Sequence, residues 1–447
     1  MLATAMGYRL VRGFIRLLLR LFYRRVDVVG AERIPASGPL IIAANHHNSL
    51  VDPMLIMATF PRRITVLANA PLFRHPLIGP FLRAVGALPV HRRTEAGNDP
   101  RKNEAMFAAA IAHLKAGGAI LIFPEGRTQP VPTLLPLRTG AARLLLDAEA
   151  HGGRPGVALL PVGLVFETPG TFREAAALVA VGAPVSADDC VAGYAAAPEP
   201  TVRRLTERLA AAIRAQIVEA EDQHTLELAA ALERAWRVEH GDAPALAEAS
   251  LTWRREMMRA ARAAAARAPD RVAAFRGRLE RYRAHLSASG LSDAELGRPY
   301  TAAVVARWTA VNAAKLAITL PLALWGIASH ALPYWLTRAA VAAMRRSEEE
   351  EATDKMAAGL VLYPLCWAVE AWLVERRLGT TAVVLFGLLL LPSALIALAW
   401  RERLGRVVRQ ARAFAHFVAD RRLHADLIAE RRALLEEATA LAELART

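Results

Sequence analysis

Two apolar stretches, residues 356–374 and 380–400, are each of bilayer-spanning length and are separated only by Glu375, Arg376, Arg377, Leu378 and Gly379. That pattern commits the C-terminal part of the chain to a membrane, with a tight transmembrane hairpin as its simplest form. Glu370 is the one acid within the first stretch. Residues 311–336 are also apolar but carry Lys315, Pro321, His330 and Pro333, which favours an interfacial or re-entrant segment over a third crossing. Arg401, Arg403, Arg406, Arg409 and Arg412 follow the hairpin and place that flank in the cytoplasm.

Charge and hydropathy agree. Of 447 residues 54% are hydrophobic, mean hydropathy is +0.24, and the formal net charge is +14 with a pI near 10.6. Such a basic balance suits either nucleic acid or an anionic membrane surface. Here the arginines flank apolar stretches and do not interleave with aromatics, so an anionic lipid membrane is expected and nucleic acid is not. The two cysteines, Cys190 and Cys366, lie too far apart in sequence to suggest a metal cluster or a disulfide framework, and no metal is expected.

Residues 1–25 place Arg9, Arg12, Arg16, Arg20 and Arg24 at steps of three and four, with Leu10, Phe14, Leu17, Leu18, Leu21 and Phe22 on much of the remainder. This predicts a basic amphipathic helix in the headgroup layer, the competing arrangement being a helix packed on its own domain. Residues 26–200 alternate β-rich runs (40–44, 64–67, 86–91, 119–123, 157–166 and 177–181) with Ala- and Leu-rich helical segments, which predicts an α/β domain. Residues 201–300 read as solvated helices, residues 301–402 as a membrane module and residues 403–447 as a helical tail.

Chemistry concentrates where the predicted strands end. The apolar run 40–44 delivers Asn45, His46, His47, Asn48, Ser49, Leu50, Val51, Asp52 and Pro53. His47 and Asp52 are five apart, about 140° apart on a regular helix. To meet they must straddle a turn and a first helical turn, with Ser49 as a plausible cap. A histidine held by a carboxylate is suited to take a proton from a hydroxyl attacking an acyl group; a capped helix start with an exposed histidine is the plainer alternative. His46 has Val51 as its fifth neighbour and is left aside. A second cluster, residues 86–92, ends in Arg92, whose guanidinium suits a phosphate. A third, Phe123, Pro124, Glu125, Gly126, Arg127 and Thr128, sets a carboxylate and a cation at one sheet edge, with Gly126 permitting close backbone approach. The fourth, Leu160, Pro161 and Val162, is a weak signal by itself.

In this order and spacing the four clusters resemble the four motif blocks of the glycerophospholipid acyltransferase family, over about residues 26–200. The resemblance implies a mixed α/β sheet flanked by helices, His47 as catalytic base and Asp52 as its orienting carboxylate. It further implies that Arg92, Glu125, Gly126 and Arg127 contact the phosphate and glycerol of the acceptor, and that Pro161 borders the acyl-donor site. Arg127 stands before Thr128 where the family often has Thr or Ser directly after the glycine. With residues 134–140, this looks closer to the larger membrane-bound glycerol-phosphate acyltransferases. The implied activity is acyl transfer from acyl-CoA or acyl carrier protein to 1-acylglycerol-3-phosphate (lysophosphatidate), giving phosphatidate. Glycerol-3-phosphate or another lysophospholipid is the alternative acceptor, and a non-catalytic lipid-binding scaffold the alternative of another class. No cofactor is implied. The expected location is integral to a membrane, with the catalytic domain facing the cytoplasm.

Overall fold

The computed structural model describes residues 2–446 apart from 76–77, 92–99, 152, 154, 169–170, 174, 242–246, 290, 297–301, 345–349 and 420. It divides into two compact units. One comprises residues 1–227, 246–255 and 346–354, and the other residues 228–245, 256–345 and 355–447.

The first unit is built on seven strands: β1 (Arg25–Val29), β2 (Leu40–Ala44), β3 (Thr65–Asn69), β4 (Leu88–Val90), β5 (Ala119–Ile122), β6 (Ala158–Glu167) and β7 (Ala176–Val181). They form one sheet in the order β1-β7-β6-β2-β5-β3-β4. Every pair is parallel except β6 with β7, so the sheet is mixed, as the α/β expectation had it. Its centre is β2, all five residues of which are buried, with β5 on one side and β6 on the other. A strand covered on both faces needs apolar side chains throughout, and Leu-Ile-Ile-Ala-Ala supplies them.

The helices of this unit are α1 (Leu2–Phe22), α2 (Val51–Thr59), α3 (Ile78–Val85), α4 (Pro100–Lys115), α5 (Gly140–His151), α6 (Asp188–Gly193) and α7 (Pro198–Arg214). α1 packs on its own domain through Tyr8, Ile15, Leu19 and Phe22. Two of its arginines turn inwards. Arg12 bonds the carbonyl of Phe60, and Arg16 Nε donates to the carbonyl of Ala58 at 2.9 Å, so both satisfy the C-terminus of α2, where cations are favoured. Met6, Leu10, Phe14 and Leu17 are left exposed together with Arg9, Arg16, Arg20 and Arg24, so the outward side carries both apolar and basic residues.

α7 buries Val202, Leu205, Leu209 and Ile213, and the first unit thereby runs past residue 200 to Glu227. Gly163 of β6 makes room for the end of α7: a Cβ there would lie 2.1 Å from the Gln216 carbonyl oxygen.

Helices α8 (Gln223–Glu239) and α9 (Ala247–Arg267) contribute to both units. The second unit contains α10 (Pro269–Ala288), α11 (Asp293–Leu296), α12 (Ala302–Met344), most of α13 (Glu351–Leu378), α14 (Thr380–Ala419) and α15 (Arg421–Arg446). Its polar helices are tied by buried charge: Arg431 is 3% exposed and donates to Glu239 at 2.6 Å. α12 passes through Pro321 and Pro333 without a break. Residues 305–344, 351–378 and 380–412 are each long and apolar enough to cross a membrane, so α12 joins the expected hairpin as a third such helix. α12 and α14 run in opposite directions and touch closely. The Trp400 indole donates to the Leu316 carbonyl at 3.0 Å, and a Cβ on Gly326 would sit 2.2 Å from the Ser393 carbonyl oxygen.

Candidate active site

β2 and β5 are parallel neighbours, so the loops leaving their C-terminal ends emerge at the same sheet edge, the customary position for a site in such a sheet. One loop carries residues 45–50 and the other residues 123–129. Asn45, fully buried, extends β2 with its side chain. Its Nδ2 donates to the Leu164 carbonyl at 2.9 Å and its Oδ1 accepts from the Leu164 amide at 2.7 Å, reproducing a strand pairing and fixing the chain as it leaves the sheet.

The chain then turns sharply. Ser49 takes φ +42°, in the left-handed region, and α2 begins with Leu50 as N-cap and no side-chain cap. Ser49 is therefore not the cap; it supplies a turn conformation that costs a non-glycine residue energy. This turn brings Asp52, fully buried in the first turn of α2, back under the loop. Asp52 Oδ2 accepts three hydrogen bonds: from His46 Nδ1 at 2.7 Å, from the His47 amide at 2.8 Å and from the Asn48 amide at 2.9 Å. A carboxylate at a helix N-terminus also gains from the helix dipole.

The pairing expected between the His47 ring and Asp52 is thus corrected. The imidazole on Asp52 is that of His46, six residues away, and His47 gives Asp52 only its backbone N–H. The left-handed step at Ser49 takes up the extra residue. The His46 ring stacks on Phe123, with centroids 4.1 Å apart and planes within 18°. Because Asp52 accepts the Nδ1 proton, the neutral ring keeps its lone pair on Nε2. No hydrogen bond engages that nitrogen among the described residues. The His47 ring turns to the second loop, donating Nδ1–H to the Gln129 carbonyl at 3.1 Å, and burial lowers its pKa.

Glu125 is 3% exposed, and both of its oxygens are engaged by backbone amides. Its Oε1 accepts from the His46 amide at 2.8 Å and its Oε2 from the Leu135 amide at 3.0 Å, so it joins the two loops beneath the histidine. Burial raises its pKa to about 7 against the opposing pull of those two amides. Gly126 has φ +70°, and the Arg138 side chain crosses it so closely that a Cβ would lie 2.5 Å from Arg138 Nε. Arg127 and Arg138 are both exposed at this edge. Arg92 lies outside the described residues.

Pro161 is buried in mid-strand, paired with Ala43, its carbonyl accepting from the Gly182 amide at 2.9 Å. It is not among the residues that line the cavity described next. The part of β6 beyond Ala44 does overhang the site: Leu164, Val165 and Phe166 line a cavity of about 260 Å³ together with His47, Ile217 and Leu226. Apart from His47, those positions, with Asn45, Asn48, Phe123 and Gln129, are parts of the site to which the sequence assigned no role. Asn48 Nδ2 donates to the Tyr23 hydroxyl at 3.1 Å, and burial raises the pKa of that phenol. Among the described residues, no group of three or more His, Cys, Asp and Glu side chains is arranged to hold a metal.

A family model described as Acyltransferase matches residues 25–165. Relatives include an uncharacterized acyltransferase of Schizosaccharomyces pombe, 25% identical over 38% of this chain and 38% of that protein. A 1-acyl-sn-glycerol-3-phosphate acyltransferase of Borreliella burgdorferi is 28% identical over 36% of this chain and 58% of its own. Glycerol-3-phosphate O-acyltransferase 2 of Saccharomyces cerevisiae is 31% identical over 30% of this chain and 18% of its own. The matched segment thus spans less than two thirds of the length of each. The segment holding the strand-end loops, the His46–Asp52 pair and the Glu125 link is the one that matches the Acyltransferase family model, residues 25–165.

Proposed function

We propose that this chain transfers a fatty acyl group from acyl-CoA or acyl carrier protein to the free hydroxyl of 1-acylglycerol-3-phosphate, forming phosphatidate. Glycerol-3-phosphate is the second acceptor. The observation that carries this reading is the 2.7 Å contact between His46 Nδ1 and Asp52 Oδ2, with Nε2 left as the basic nitrogen. His46, and not His47, is assigned as the base. As the acceptor oxygen bonds to the thioester carbonyl carbon, Nε2 takes the hydroxyl proton and Asp52 stabilises the imidazolium. The C–S bond then breaks, and the leaving thiolate takes the proton from Nε2. His47 lacks the carboxylate partner, and burial disfavours its protonation.

Arg127 and Arg138, exposed beside Gly126, are suited to the acceptor phosphate, and Arg92 is retained for the same role from its sequence position. The apolar walls beside His47 suit an alkyl segment of either substrate. Three helices of spanning length support an integral membrane location, which shortens the path of bilayer-soluble substrates and products. The arginines from Arg401 to Arg412 favour the cytoplasm for that flank, and a cytoplasmic catalytic domain is part of the proposal.

The test is acyl transfer in nanodiscs from labelled acyl-CoA to both acceptors, with wild type, His46→Ala and His47→Ala. Loss of about 10²- to 10⁴-fold in a folded His46→Ala protein, with a smaller loss in His47→Ala, is the expected result. The reverse order would return the base to His47. Activity untouched by either change would remove both histidines from the base role, and absence of transfer with every donor and acceptor would favour the scaffold.

A further inference from the structure

Helix α2 carries Asp52 and begins poorly for a helix of its importance. Its N-cap is Leu50, which has no side-chain oxygen, and its third helical residue is Pro53, where a capping box would place Glu or Gln to reach back to the N-cap amide. Asp52 is spent on the His46 ring and on the amides of His47 and Asn48. The missing partner comes from 303 residues further on: the Leu50 amide donates to Thr353 Oγ1 at 3.3 Å.

Thr353 is not a chance neighbour. Residues 346–354 belong to the first compact unit although 351–354 form the first turn of α13, most of which belongs to the second. Within this stretch Ala352 is fully buried, and Glu351 lines the same cavity as His47. A peptide outside the matched segment 25–165 thus borders the cavity beside His47 and supplies a hydrogen-bond acceptor at the start of the helix that carries Asp52.

We propose that residues 351–354 are a working part of the catalytic site, with Thr353 a positioning residue that holds the start of α2, and through it Asp52 and His46, and with Glu351 forming the cavity wall. This rests on the acyl transfer proposed above for its kinetic consequence, while the contact itself is tested independently. A displaced α2 N-terminus would move Asp52 relative to the ring it orients, and misplacement of that kind affects turnover more than binding.

The experiment compares full-length wild type, Thr353→Val and Thr353→Ser in nanodiscs, by hydrogen exchange of a peptide covering residues 47–56 and by acyl transfer to lysophosphatidate. Thr353→Val should speed exchange at the Leu50 amide and lower kcat by about ten-fold, with KM and the unfolding temperature little changed. Thr353→Ser, which keeps the hydroxyl, should stay within about two-fold of wild type in both. Wild-type exchange in Thr353→Val, or Thr353→Ser as slow in turnover as Thr353→Val, would overturn the proposal. If wild type transfers no acyl group to any acceptor, the functional reading falls, and the exchange arm alone then decides whether Thr353 holds α2.

Discussion

Glu125 gives the site a pH dependence that an amide cannot reproduce. Its folded pKa of about 7 stands above the ordinary 4.5, so between those values the folded chain binds more protons than the unfolded one. Stability from this group is fullest below about pH 4.5 and is lost as pH rises through about 7, by roughly 3 kcal/mol in all. Glu125→Gln removes the titration but turns an NH2 group towards one of two backbone donors, the amides of His46 and Leu135, at a cost of about 1–3 kcal/mol. Denaturant unfolding from pH 4 to pH 8 should show wild type ahead at low pH and the gap closing towards neutrality; a gap that stays constant or widens would rule this assignment out. The residues at this site were legible as a set, because strand ends rich in His, Asp, Glu and Arg stand out from apolar runs. Their pairing was not. Counting residues favours His47 for Asp52, and only the backbone at Ser49, which sequence spacing does not report, gives the carboxylate to His46.

Among the elements, six strands were visible as apolar runs, and the seventh was hidden by its composition. β1 reads Arg-Val-Asp-Val-Val and lies at the sheet edge, where Arg25 and Asp27 pair at 2.6 Å on the more exposed face. An edge strand with charged alternate positions resists pairing with other chains, which also makes it look like a loop. α1 was visible as a helix, but the direction of its arginines was not, since the free carbonyls at the end of α2 that draw in Arg12 and Arg16 exist only in the folded domain. The junction of α7 with β6 turns on one missing side chain. Gly163→Ala places a methyl against the Gln216 carbonyl oxygen, where backbone on both sides must yield, and should cost about 1–3 kcal/mol. Ser49→Gly, by contrast, relieves a left-handed residue and should be neutral or stabilising by up to about 1 kcal/mol, with acyl transfer retained. Thermal unfolding of the two variants beside wild type checks both signs.

For the molecule as a whole, the sequence separates an α/β part from a part with helices of membrane-spanning length by material alone, and the boundary between the units is drawn by packing. The peptide around Thr353 looks like a polar break between two apolar helices, and its membership of the first unit depends on long-range contacts that no local pattern encodes. Packing within the membrane module is specified by small residues in the same way. Bilayer tails are as apolar as leucine, so helices there associate through close backbone approach and not through burial from water. Gly326 of α12 meets the backbone of α14 at Ser393 and the methyl of Ala397, whereas Gly387 of α14 has nothing within 4 Å of the position its Cβ would take. Gly326→Val should therefore force α12 and α14 apart and lower the unfolding temperature in detergent by several degrees, the counterpart of roughly 1–3 kcal/mol of overpacking. Gly387→Val adds the same side chain to a helix of the same apolar character and should leave that temperature unchanged or slightly raised, since valine is the better helix former. A fall of equal size in both variants would mean that chain stiffness and not the α12–α14 approach sets the stability of this module; a fall in Gly326→Val alone assigns it to the contact with Ser393.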